Sequence, residues 1–323
     1  MAAFILRRLG QAILVMLAVG LIAFALFRFV GDPVIFMLGQ DATPEDLVRV
    51  TQQLGLDQPF YVQYARFVER ALHGEFGLSL RQVRPVSALI VERLPATLEL
   101  SLMAALFALA AGIPMGVYTA LRRDSWFSHF LLAVSLIGVS LPTFLIGILL
   151  ILVFSVQLGW LPSFGRGDTV AVGWWSTGLL TASGLKALIL PSITLGLFQM
   201  TLIQRLVRSE MLEVLRTDYI RFARARGLTD RAVHFGHALK NTLVPVITIT
   251  GLQLGAIIAF AIITETVFQW PGMGLLFIQA VTFADVPVMG AYLCLIGLFF
   301  VIINLAVDLL YYAVDPRLRV QTT

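Results

Sequence analysis

Six stretches of the chain stay apolar for roughly 18 residues or more, enough for a helix to cross ~30 Å of hydrocarbon. They run approximately Leu9–Phe27, Ala96–Ala120, Phe130–Leu158, Lys186–Gln204, Thr242–Val267 and Val286–Val314. Four prolines, Pro114, Pro142, Pro191 and Pro245, fall inside these runs and predict kinks, because neighbouring helices can satisfy the carbonyls that proline frees. Gly112–Gly116 and Gly251–Gly255 carry the small-xxx-small spacing that allows close helix contact. Two long polar segments interrupt the apolar pattern, Gly31–Leu94 and the stretch from Arg216 to Leu243.

The first polar segment reads as short amphipathic helices. Thr43 is placed to cap a helix, Pro44 suits its first turn, Glu45 and Asp46 complement its dipole, and Gly55 supplies a stop. Farther on, Phe60, Tyr64, Phe67 and Ala71 recur at helical spacing before Gly74. In the second segment Leu212, Leu215, Tyr219 and Phe222 are spaced 3, 4 and 3 apart, which predicts an apolar seam with Arg221 and Arg224 turned away from it. Gly227 then stops the helix, Leu228 follows, and Thr229 with Asp230 begins another that sets Ala232, Phe235 and Leu239 on one side. The reading is helix, tight turn, short helix.

Composition places these patterns in a membrane. The 323 residues are 59% hydrophobic and 13% charged, about half the ~25% charge of a soluble domain, and the mean hydropathy is +0.89. Lysine and arginine set the orientation. With a cytoplasmic amino terminus, the inside segments hold Arg7, Arg8, Arg122, Arg123, the basic loop, Arg317 and Arg319. The short outside loops hold only Arg166, Asp168 and Asp285. The expected architecture is an all-α polytopic membrane protein with six transmembrane helices and both termini cytoplasmic. Its domains are a first transmembrane helix (1–30), an extracytoplasmic helical cap (31–94) and a five-helix core (95–323) with a cytoplasmic loop at 209–241. The apolar run behind Arg7 and Arg8 exceeds a signal h-region and lacks a small-x-small cleavage site, so the first helix is expected to be retained. Cys294, the single cysteine, reads as a packing residue.

Candidate chemistry is sparse. No G-x-x-x-x-G-K-[ST] phosphate loop is present. The four histidines are His73, His129, His234 and His237, and none has companions at metal-ligand spacing. Ionisable residues in or near the spans are Arg28, Glu99, Glu265 and Asp308, read as pairing between helices in preference to a proton relay. Three readings compete for the basic loop. A positive-inside signal needs no amphipathic helix pair. Nucleic-acid binding is opposed by Glu210, Glu213, Asp218 and Asp230, which dilute the field. The third is a docking element for a cytoplasmic protein.

The stretch "RSEMLEVLRTDYIRFARARGLTDRAVHFGHALKNTLVPVITITGLQLG" resembles the permease B subunit of dipeptide/oligopeptide ABC importers. "LPATLELSLMAALFALAAGIPMGV", "GVSLPTFLIGILLILVFSVQLGWLP", "ETVFQWPGMG" and "NLAVDLLYYAVDPRLR" extend the resemblance over almost the whole chain, least in Gly165–Leu185. Against the family's E-A-A-x-x-x-G-x(9)-I-x-L-P loop signature, aligned on Gly227, only Ala223, Gly227 and Leu239 match, although "ARARGL" and "HALKN" follow the peptide branch. The resemblance implies a type I ABC importer permease in a bacterial inner membrane, non-catalytic and without a cofactor of its own. ATP and Mg would be bound by two partner ATPase subunits. A second homologous permease, an extracytoplasmic substrate-binding protein and the lipid bilayer would complete its partners, with no nucleic acid. The ATPase-coupling residues would be Tyr219, Arg221, Ala223, Arg224, Gly227, Leu228, Thr229, Arg231, Ala232, Phe235, His237 and Leu239. Cargo would be peptides, with metal chelates or glutathione as alternatives in the same class. An ATP-independent secondary transporter is the competing reading. It calls for midplane coupling carboxylates and broken helices in repeated halves, neither evident in the sequence.

Overall fold

The computed structural model describes residues 2–29, 43, 45 and 57–314, and among these the chain is helical nearly throughout. Helix is the state that satisfies every backbone group within the segment itself, which hydrocarbon demands. The helices are α1 (Ala2–Phe29), α2 (Phe60–Leu72), α3 (Val86–Leu121), α4 (Trp126–Ser140), α5 (Thr143–Leu150), α6 (Ala182–Val214), α7 (Asp218–Ala225), α8 (Leu239–Val267), α9 (Met273–Thr282) and α10 (Val286–Val314). Ile151–Gln157 and Ala232–Ala238 are π-helical, and two three-residue strands, β1 (Val170–Val172) and β2 (Trp175–Thr177), precede α6. The helix expected from Thr43 to Gly55, Arg317, Arg319 and the side chain of Arg28 lie outside the described residues.

Segments of α1, α3, α6 and α10 are each long and apolar enough to cross a membrane. Two bent pairs bring the number to six when each is counted as one span: Trp126–Ser140 with Thr143–Gln157, and Ala232–Gly251 with Gln253–Val267. The first pair departs most from the sequence reading, since the expected run Phe130–Leu158 folds through 114°. Pro142 is the cause. The residue before a proline is driven out of the helical region, and Leu141 is extended (φ −100°, ψ 142°) while Pro142 caps α5. Each limb is 15 residues or about 22 Å, short of a full crossing. Pro191 and Pro245 remain inside continuous helices.

The chain divides into two compact units. One comprises Met1–Pro95, Gly173–Trp175 and Pro271–Ile302. Its core joins Val86, Leu89 and Ile90 of α3 to Met273, Leu276 and Ala280 of α9 and to Val288, Ala291 and Tyr292 of α10. Phe24 of α1 meets the rings of Phe60, Tyr64 and Phe67, at 5.1, 5.7 and 5.8 Å between centroids, and the Tyr64 hydroxyl donates to the Leu17 carbonyl at 2.6 Å. The buried carboxylate of Asp285 accepts from the Ser79 hydroxyl and from the Leu80 and Arg81 amides, which ties the turn before α3 to the turn before α10.

The second unit comprises Ala96–Val172, Ser176–Trp270 and Ile303–Thr323. Here α6 is the central element. A Cβ added at Gly112 would stand 2.9 Å from the Met200 carbonyl, and one at Gly116 would stand 2.6 Å from Val207. Those glycines let α3 and α6 touch backbone to backbone, as the small-residue spacing implied. On another side, Thr201 Oγ1 donates to the Ser135 carbonyl at 2.7 Å and pins α4 to α6. Trp270 is fully buried, and its indole N–H donates to the Ala96 carbonyl at 2.9 Å.

Candidate functional site: the 209–241 loop

The loop begins where α6 runs out. Leu215, Arg216 and Thr217 break the helix, the Thr217 hydroxyl donates to the Val214 carbonyl (2.6 Å), and α7 restarts at Asp218. That break shifts the helical phase. Leu212 and Leu215 pack against the core as the 3-4-3 spacing predicts, but Tyr219 and Phe222 do not. They face outward, Phe222 with 64% of its surface exposed, and Ile220 and Ala223 take the inward positions. The single seam therefore divides in two, because one helical period cannot run through a three-residue interruption.

Gly227 makes the turn that follows. Its φ of +78° lies in the left-handed region where other residues are strained. The Gly227 amide donates to the Arg224 carbonyl at 2.9 Å and the Leu228 amide to the Ala223 carbonyl at 3.4 Å, so the end of α7 is closed. Thr229 then caps the next segment, with its Oγ1 accepting from the Ala232 amide at 3.4 Å and its carbonyl from the Val233 amide at 2.9 Å.

The short second helix of the sequence reading is not a separate element. The π-helical segment Ala232–Ala238 passes directly into α8. Its inward residues are Val233 and Ala238, five apart, with no exposed surface. A π-turn closes bonds from i to i+5, so a 3.6-residue template selects the wrong face of it. The residues that template did select divide: Ala232 and Leu239 are half-buried, Leu239 against the core, whereas Phe235 is 54% exposed. Arg221, Arg224, Arg231 and His237 are all exposed, and Arg221 pairs with Asp218 at 3.2 Å.

The result is a two-sided platform. Ile220, Ala223, Val233 and Ala238 share one buried cluster with Met211, Val207 and Val246, and the Asn241 amide donates to the Tyr219 hydroxyl at 2.6 Å to join α7 to α8. The other side presents Phe222, Leu228 and Phe235 among arginines.

A second polar feature lies elsewhere in this unit. Arg166 Nη2 donates to Glu99 Oε2 at 2.6 Å, with only 7% and 2% of the two side chains exposed. Arg166 also donates to Ser176 Oγ (3.1 Å) and to the Ser176 carbonyl (2.6 Å), and Glu99 accepts from the Gly178 amide at 3.3 Å. Glu265 accepts from Thr97 Oγ1 at 2.6 Å. Sequence reading marked both carboxylates for pairing but missed Arg166, which stood in an outside loop 67 residues away.

The geometry of this unit is a multi-spanning helical bundle that carries an anchored, arginine-bearing platform. Residues 112–320 match the family described as binding-protein-dependent transport system inner membrane component, and residues 1–101 match that family's amino-terminal component. The chain belongs to this family and is a multi-pass inner-membrane permease subunit of an ABC importer, a non-catalytic part that works with ATPase and substrate-binding partners. It is 38% identical to the dipeptide transport system permease protein DppB of Alkalihalophilus pseudofirmus, over 99% of this chain and 100% of that one. It is 43% identical to the di/tripeptide transport system permease protein DppB of Pseudomonas aeruginosa, at the same coverage, and 40% identical to DppB of Escherichia coli K12, over 99% of each. The fold is similar to a chain of the inward-facing MetNI methionine ABC transporter, with a TM-score of 0.57 and 20% identity over 70% of this chain and 96% of that one. It is the type I importer permease fold.

Proposed function

We propose that the chain forms part of the membrane pathway of a peptide importer and couples it to ATP hydrolysis through the 209–241 loop. Exposed Phe235, on a segment whose opposite side is buried, carries this reading. A surface groove of an ATPase would take Phe235 and Ala232, while Arg221, Arg224 and Arg231 orient the approach. Because Ala232–Ala238 is continuous with α8, displacement of Phe235 would be passed into the first limb of the span, up to the 45° bend after Gly251. Magnitudes favour the aromatic contact. Turning a two-state equilibrium from 1:99 to 99:1 takes about 5.5 kcal/mol. Exposed arginine pairs supply roughly 0–1 kcal/mol each, against about 1.5–3 kcal/mol for burying a large apolar side chain.

In this reading a second, related permease completes the pathway and two ATPase subunits bind beneath. The 31–94 segment is where a substrate-binding protein delivers peptide. The test is the assembled complex carrying Phe235→Asp or Gly227→Pro. Substrate-stimulated ATPase and uptake are expected to fall at least about tenfold in each, as loss of a ~1.4 kcal/mol contact requires. Wild-type levels in both variants would refute the docking assignment. Mass spectrometry of ligand co-purifying with the cognate binding protein identifies the cargo.

A further inference from the structure

Near its cytoplasmic end α6 parts from α4. The two helices touch at Gly138, where an added Cβ would lie 2.8 Å from both the Leu197 carbonyl and Thr201 Oγ1, and the Thr201–Ser135 bond fixes the next turn. Beyond that pin, toward the cytoplasm, a cavity of ≈ 400 Å³ opens between them. Leu132 and Leu136 of α4 form one wall, and Arg205, Arg208 and Ser209 of α6 the other. Among the described residues no carboxylate forms an ion pair with either arginine, and the Arg208 Nε is buried without a hydrogen-bond partner. Two cations left unneutralised beside leucines call for a ligand that brings an anion and hydrocarbon together.

The surroundings say where that ligand comes from. Between Phe130 and Val139 the exposed side chains of α4 are apolar, including Leu136, Ile137 and Val139. Trp126 (76% exposed), Phe127 and Phe130 cluster at its cytoplasmic start, with Phe127 edge-on to Tyr118 at 5.3 Å. Such a ring of aromatics marks the membrane–water interface. Leu212 is shared with a second cavity of ≈ 470 Å³ that Arg122, Arg123 and Arg224 also line, so the basic surface continues toward the cytoplasm. The one acidic residue there, Asp124, is paired with Arg123 at 3.4 Å. Basic pockets between helices on the cytoplasmic side suit anionic lipid headgroups.

We propose that the α4–α6 cavity binds an anionic phospholipid of the cytoplasmic leaflet, its phosphate between Arg205 and Arg208 and its acyl chains along Leu132 and Leu136. The site rests on the orientation of the loop, not on the cargo or on ATPase docking. Leu212 joins it to the neighbouring cavity lined by Arg224 of α7, which places the lipid between α4 and α6 beside the base of the loop.

The experiment is native mass spectrometry of the detergent-purified, delipidated complex. The probes are phosphatidylglycerol and phosphatidylethanolamine, offered to wild type, Arg205→Gln/Arg208→Gln and Arg205→Lys/Arg208→Lys. Wild type is expected to prefer phosphatidylglycerol by about ten- to thirtyfold, the value for two near-surface cations. The Gln pair should lose that preference and the Lys pair should keep most of it, while all three proteins melt within a few degrees of one another. Equal binding of both lipids by wild type, or a preference that survives in the Gln pair, would overturn the proposal. Displacement of the lipid by excess inorganic phosphate alone would show a free-phosphate site and overturn the lipid assignment. Loss of the second permease from the Gln-pair complex, with lipid preference unchanged, would make this face a subunit interface instead. No cargo or ATP enters the assay, so its failure leaves the peptide-importer reading standing.

Discussion

Replacing Arg166 with methionine removes the cation from a pair that the fold has taken out of water. Glu99 keeps 2% of its side-chain surface, so the stranded carboxylate cannot be rehydrated without local opening. The bond it accepts from the Gly178 amide is long, at 3.3 Å, and does not replace a 2.6 Å charge-assisted contact. Breaking one side of such a pair costs about 3–5 kcal/mol, a large part of the ~5–15 kcal/mol that holds a domain folded. The Ser176 hydroxyl and carbonyl lose their donor as well, which adds roughly 1–3 kcal/mol if the carbonyl stays dry. The double variant Glu99→Met/Arg166→Met strands no charge, and apolar replacement of a whole buried pair is often neutral or stabilising. Arg166→Met should therefore unfold well below wild type in detergent, and Glu99→Met/Arg166→Met should recover most of the difference. The assay is thermal unfolding read by the monodisperse fraction on size exclusion, run as a double-mutant cycle. If the double variant is as unstable as the two single losses added together, the pair is not coupled and this reasoning is refuted.

Four further outcomes are expected. Gly116→Ala sets a methyl 2.6 Å from Val207 and 2.8 Å from the Gln204 carbonyl, so it should destabilise by about 1–3 kcal/mol. Gly10→Ala meets nothing within 4 Å in a helix and should be neutral or slightly stabilising in the same melt. Trp270→Phe removes one ring of a fully buried indole and leaves the buried Ala96 carbonyl without its donor, so the lost bond alone costs about 1–3 kcal/mol and the cavity adds to it, by the same measurement. Cys294, buried with 7% of its surface exposed, should resist a membrane-permeant maleimide until the protein is unfolded, as followed by mass shift.

Legibility depended on how far each feature lay from the helical period and from its partners in the chain. The outer spans could be read directly: the expected Val286–Val314 is α10 as found, and Leu9–Phe27 falls within α1. The expected Ala96–Ala120 begins ten residues into α3, because Glu92, Arg93 and Pro95 interrupt the apolar run, although Val86, Leu89 and Ile90 before them are buried. α9 escaped notice because ten residues fall below any membrane-crossing length, although Met273, Leu275 and Leu276 are buried. In the 209–241 loop the stop at Gly227 and the cap at Thr229 were legible, since both are local chemistry. The inward face was not, because the phase break at Leu215–Thr217 and the π-helical turn each shift which residues point to the core.

By itself the sequence determined the solvent and the family. Apolar runs longer than hydrocarbon is thick have one stable backbone state, and that property is a local sum over residues. Tertiary structure alone decided that Pro142 turns a span through 114°, that Arg166 rather than a neighbour completes Glu99, and that Phe235 faces out while Val233 faces in. Each of those depends on which distant segment fills the space beside a side chain. No sum along the chain contains that information.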